Sequence, residues 1–146
     1  RWVGNRDLLV AEILWSMYTQ TLDHAINEAE GTGSDYLVDI YRRFGKVAVS
    51  CEPLRHFLRH DPEYALRVLT SEATDYHNRI VAAWQDLLDQ QVKLGTIRPQ
   101  VDTATLASLI VRINEGCVYG DMIAGREPAI DAACIAFRLL LASPCE

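Results

Sequence analysis

Two histidines, His56 and His60, stand four residues apart, a spacing that places both rings on one helix face and could hold a metal ion. Phe57 follows His56, so the pattern of helical zinc proteases is absent, and the flanking Arg55 and Arg59 read as a solvated face. Serines, threonines, cysteines and carboxylates are present, but no nucleophile elbow, glycine-rich phosphate loop or paired-carboxylate motif accompanies them. Glu52 and Glu72 could share a cleft, yet nothing in the spacing brings them together. Cys51, Cys117, Cys134 and Cys145 fit no zinc spacing and form no Cys-x-x-Cys. Three of them fall on apolar helical faces, where buried free thiols are the expected state in a chain large enough not to need disulfides. No metal, no cofactor and no catalytic residue is therefore expected, and an enzyme would need dispersed groups with no local signature.

The more informative set is aromatic and weakly polar. Trp15, Tyr18, Phe44, Phe57, Tyr76 and Trp84 fall on the inward stripes of four expected helices. Asn114 shares a face with Ile110 and Cys117, and His77 borders the stripe carrying Tyr76, Ile80 and Trp84. Val47 and Cys51 continue the stripe of Phe44. Buried Tyr, Trp and Asn need hydrogen-bond partners. Singly, each reads as a satisfied core residue. Together, large rings with a few polar atoms suit a mostly apolar ligand pocket between helices. No cluster of inward Arg or Lys is evident, with Arg79 and Arg112 the exceptions to watch, so the expected ligand is apolar with a small polar head.

The elements that must position these residues are helices throughout. One runs from about Arg6 to Glu28, with Asn5 as its expected N-cap after a left-handed Gly4. Gly31 to Ser34 stops it, Ser34 caps the next, and that helix spans about Asp35 to Cys51 with an interior Gly45 that implies close packing. Pro53 opens a short helix, Leu54 to His60. Asp61-Pro62-Glu63 starts the longest expected helix, reaching about Leu94. Asp102 caps another that ends before Gly125, and Pro128 starts the last, to about Ala142, stopped by Ser143-Pro144. The fold expected is all-α, with about six helices.

The last two helices carry more small and apolar residues than one core-facing stripe needs. Leu109, Ile113, Gly116 and Gly120 on one, with Ile130, Ala133, Phe137 and Leu140 on the other, suggest a second apolar face that meets a partner. The alternative is that both helices are central in the monomer core. At 146 residues the chain fits one domain, and 49 % hydrophobic content suits a well-cored one. A net charge of −6 argues against this stretch gripping nucleic acid. No run of about 18 apolar residues suggests a membrane span, and the first residues lack a signal-peptide core, so a cytoplasmic protein is expected.

Arg1-Trp2-Val3-Gly4-Asn5-Arg6-Asp7-Leu8-Leu9 resembles the end of the DNA-binding domain of TetR-family repressors. In that family an aromatic residue closes the recognition helix, and a Gly turn, a polar cap, a basic residue, an acidic residue and paired leucines follow. The match stands at Trp2, Gly4, Asn5, Arg6, Asp7, Leu8 and Leu9. The downstream helices have the family's order and lengths, so the resemblance covers the whole chain as the C-terminal regulatory part. It implies that residues 1–4 are the tail of an otherwise missing helix-turn-helix domain and residues 5–146 an effector-binding and dimerisation domain. It also implies a homodimer through a four-helix bundle, DNA contact only through the missing domain, and a helix from Arg6 to Glu28 that transmits ligand binding to it. Arg1 to Gly4 with Arg6 to Leu9 and Ala11 to Trp15 look like the QsdR type of this family, which implies a γ-lactone or acyl-homoserine lactone as effector. Two other readings stand beside it: a helical dimerisation module with no small-molecule ligand, and a lactone- or ester-processing enzyme.

Overall fold

The structure, a computed structural model, describes residues 4–142 and is helical, with no strand among the described residues. The expectations for Arg1 to Val3, Ser143-Pro144 and Cys145 lie outside the described residues. Helix α1 is Asn5–Glu28, α2 Gly33–Ser50, α3 Glu52–His60 and α4 Pro62–Thr70; a 3₁₀ turn, Glu72–Thr74, leads into α5, Tyr76–Lys93. Helix α6, Thr103–Glu115, runs through a π-helical turn, Gly116–Gly120, into α7, Asp121–Ile123, and α8 is Ile130–Leu141.

The principal correction to the sequence reading is the single helix expected from Pro62 to Leu94, which is two helices. The Ser71 hydroxyl oxygen accepts the Ala73 N–H at 3.2 Å, and the Thr74 hydroxyl donates to the carbonyl oxygens of Val68 and Ser71. Asp75 then adopts a left-handed backbone, φ 59°, that no α-helix continues through. The break frees α4 to pack on α1 and α3 while α5 packs along α6. Two caps also differ. Gly4 is extended, not left-handed, and α1 begins on Asn5 with the Gly4 carbonyl accepting from Asp7 and Leu8. Helix α2 begins one residue before Ser34, on Gly33, whose φ of +59° and approach to the Thr96 carbonyl leave no room for a side chain: a Cβ would lie 2.7 Å from that oxygen. Gly45 has the packing reason its position implied, since Ile130 sits 3.1 Å from where its Cβ would be.

The core runs between α2, α5, α6 and α8. Leu37, Leu88, Leu106 and Trp84 are almost wholly buried, and Tyr41, Trp84 and Phe137 meet edge to face with centroids 5.8–6.0 Å apart. Ile130, Ala133 and Phe137, expected on a partner-facing surface, belong to this core. Helix α8 turns them inward because its charged residues, Asp131 and Arg138, occupy only a narrow strip, which leaves apolar residues on both remaining faces.

Asp39 fastens the α1–α2 connection. Its carboxylate accepts the Glu30 N–H at 2.9 Å and the Arg43 guanidinium at 2.8 Å, and these bonds hold its pKa below the ordinary carboxylate value. A depressed carboxylate pKa stabilises the fold above the unfolded-state value near 4 and loses that contribution as pH falls through the folded value. Asp39→Ala is expected to cost about 0.5–1.5 kcal/mol at neutral pH, with the gap to wild type narrowing as pH falls through the folded-state value. Urea unfolding at a series of pH values measures this, and a gap that persists at low pH would contradict it.

Candidate functional site

Helices α1, α2, α3 and α5 and the α6 π turn surround a cavity of about 380 Å³. Helix α1 contributes Leu14, Met17, Tyr18 and Thr21, residues at three- and four-residue spacing that form one stripe. Phe44, Val47, Ala48 and Cys51 continue the wall along α2, and Leu54 of α3 closes it. Tyr76 stands at the start of α5, with Asn114, Val118 and Tyr119 opposite. Tyr18, Phe44, Tyr76, Val118 and Tyr119 are buried, whereas Met17, Gln20, Val47 and Ser50 are exposed and form the mouth.

A second layer fixes the rings. Trp15 stacks on Tyr18 at 5.9 Å between centroids and meets Tyr76 edge-on, and the Arg79 guanidinium lies over Trp15. The Trp84 indole N–H donates to the Tyr18 hydroxyl oxygen at 2.8 Å. Arg79 also reaches Glu12 at 2.7 Å and so ties α5 to α1 beside the cavity. The Tyr41 hydroxyl and the Asn114 side-chain oxygen are 2.8 Å apart, with Tyr41 donating, which leaves the Asn114 amide nitrogen for the cavity. A phenol can accept as well as donate, so the amide can turn over and present its oxygen without losing this bond. Burial pushes the Tyr18, Tyr76 and Tyr119 hydroxyls well above the ordinary phenol range, so all three remain neutral.

Of the residues that the sequence assigned to a pocket, Tyr18, Phe44, Val47, Cys51, Tyr76 and Asn114 line the cavity. Trp15 and Trp84 stand behind Tyr18. Ile80 is core, and Ile110 borders a gap too small for water between Tyr41 and Phe137. Phe57 packs edge-on against Tyr64 between α3 and α4, and Cys117 is half-buried outside the lining. His77 is held by Glu115, Nδ1 to Oε2 3.0 Å. The α1 stripe of Leu14, Met17 and Thr21 was within reach of the sequence, adjoining the stripe through Trp15 and Tyr18. Tyr119 was not, because the π turn adds a residue to the helical register and brings it onto the Asn114 face.

The His56 and His60 rings stack at 4.0 Å on the exposed side of α3, and no group of three His, Cys, Asp or Glu side chains is placed to hold a metal among the described residues. Cys51, Cys117 and Cys134 are free thiols. No helix among the described residues is long and apolar enough to cross a membrane. On the outer side of the last helices, Leu109, Ile135 and Leu139 are exposed, Ile113 and Leu140 are half-buried, and Gly116 and Gly120 have open space beside them.

Residues 32–142 match the family model described as tetracyclin repressor-like, C-terminal domain. No curated protein matches the chain. The fold is similar to that of the R. erythropolis transcriptional repressor QsdR from the TetR family: TM-score 0.86 at 24 % identity, over 100 % of this chain and 77 % of that one.

Proposed function

Because the chain belongs to the TetR family as a tetracyclin repressor-like C-terminal domain, a regulatory ligand-binding part of a transcription factor, we propose that the cavity around Tyr18, Tyr76 and Asn114 is its effector site. The observation that carries this reading is the pairing of an apolar cavity with a few neutral hydrogen-bonding groups at its buried end. A γ-lactone or acyl-homoserine lactone fits that pairing. Its alkyl or acyl chain lies against Phe44, Val47 and Leu54, and its carbonyl oxygen accepts from a tyrosine hydroxyl or the Asn114 amide. The likeness to a QsdR protein supports the fold alone.

The mechanism proposed is linkage. Five lining residues sit on α1, so a ligand that favours one position of this helix biases it, and α1 would carry the bias to a DNA-binding helix-turn-helix domain preceding it. Release of DNA then follows from altered spacing of two such domains in a dimer. The test is a thermal-shift series with γ-lactones of increasing chain length. A ligand at a hundredfold excess over its Kd adds about 2.7 kcal/mol to the folded state, so melting temperature is expected to rise with chain length until the cavity is filled. A flat response across the series would remove the lactone assignment.

Dimerisation is assigned to the outer face of α6 and α8, where Leu109 and Leu139 remain exposed. Sedimentation equilibrium at micromolar concentration is expected to give twice the chain mass, and Leu139→Asp, at a side chain outside the core, to shift it towards monomer. A monomeric wild-type chain would contradict the pairing.

A further inference from the structure

We infer that the cavity selects uncharged carbonyl ligands and rejects their carboxylate hydrolysis products, an inference that rests on the effector-site reading above. Among the described residues, none lining the cavity is Lys, Arg, His, Asp or Glu. The polar atoms at its buried end belong to Tyr18, Tyr76, Tyr119 and Asn114, which offer neutral donors and no positive charge. The nearby cations are engaged elsewhere: Arg79 with Glu12 and Asp75, and Arg55 with the Val49 carbonyl and Glu127.

The charge that does bear on the hydroxyl cluster is negative. Burial is what chiefly holds the Tyr18, Tyr76 and Tyr119 hydroxyls neutral, and the half-buried Glu115 carboxylate, one turn before Tyr119, adds to the same direction. His77 sits against Glu115, with Nδ1 3.0 Å from Oε2. An ester or lactone carbonyl oxygen needs only hydrogen-bond donors. A carboxylate placed at the same point is stripped of water and meets no cation, with Glu115 next to the lining residue Asn114 in the chain, a combination that is costly for any buried ion.

The consequence reaches past the site to a reaction sequence. Water adding across a lactone or ester bond breaks the acyl C–O bond and yields a hydroxyl group and a carboxylic acid, ionised at neutral pH. Hydrolysis of that bond is therefore the class of reaction that ends the signal, because it converts a ligand the cavity accepts into one it refuses.

The experiment is calorimetric titration of this chain at pH 7.4 with matched pairs: γ-decanolactone against 4-hydroxydecanoate, and methyl octanoate against octanoate. The expected result is binding of the neutral members with their carboxylates weaker by at least about a hundredfold. In Glu115→Gln the carboxylates should gain about tenfold while the neutral members stay within about twofold. Equal affinity within each pair, or tighter binding of the carboxylate, overturns the inference and leaves the cavity as an effector site. If no member of either pair binds, the lactone and ester assignment falls, and the inference with it.

Discussion

Trp84→Ala is expected to lower the unfolding free energy by about 3–5 kcal/mol. Trp84 is 2 % exposed, meets Tyr41 and Phe137 edge to face, and donates its indole N–H to Tyr18. Three losses coincide: the transfer of a large ring out of water, the void left between α2, α5 and α8, and the hydrogen bond that orients Tyr18. Folded domains are stable by only about 5–15 kcal/mol, so the variant should sit near the edge of folding at room temperature. Trp84→Phe separates the terms, since it keeps most of the ring volume and removes the donor. It should cost less than the alanine and leave Tyr18 free to rotate into the cavity. Urea denaturation followed by circular dichroism gives both values. A loss under 1 kcal/mol for the alanine variant would mean that this ring cluster is not the centre of the core.

Ala48→Trp should leave the fold intact and abolish ligand binding. Ala48 lies on α2 between Phe44 and Cys51, half-buried, with its methyl group on the cavity wall. An indole at that point occupies the space between Phe44 and Leu54 that an acyl chain would need. Affinity for a neutral lactone is expected to drop by about a hundredfold or more, the scale on which loss of a buried apolar contact surface converts to binding. The melting temperature of the unliganded protein should hold or rise, because filling a void adds contacts. Thermal shift with and without ligand reads both quantities. Retained binding in a folded Ala48→Trp protein would place the ligand elsewhere.

The helices were largely legible in the sequence because their apolar stripes and stop signals are strong. Asp102 caps α6 through the Thr105 N–H as its position implied, and Gly95 and Gly125 close α5 and α7 with positive φ. Where the reading failed, local side-chain bonds outweighed periodicity. The stripe from Leu66 through Ala73 to Tyr76 runs through the break, while the Ser71 and Thr74 side chains bond to nearby backbone and Asp75 takes a left-handed φ, which turns the chain. Part of the cavity followed the same logic. Tyr18, Phe44, Val47, Cys51, Tyr76 and Asn114 were found from their helical faces. Tyr119 was hidden by the π turn, which no spacing rule anticipates. Phe57, Ile80 and Ile110 were misplaced because a stripe says which side of a helix is buried, not whether a cavity or another side chain meets it. Phe137 and Ile130 show the same limit on α8, where both faces are apolar and only packing on Tyr41 and Gly45 decides which turns inward.

The most direct test of the effector-site account is hydrogen–deuterium exchange of the chain with and without saturating γ-decanolactone. The account predicts slower exchange in the middle of α1 around Leu14 to Thr21, along α2 from Phe44 to Cys51, and through the π turn from Asn114 to Tyr119. Protection confined to the groove between α2 and α8, around Val38, Cys134 and Ile135, or an unchanged pattern at saturation, would contradict it.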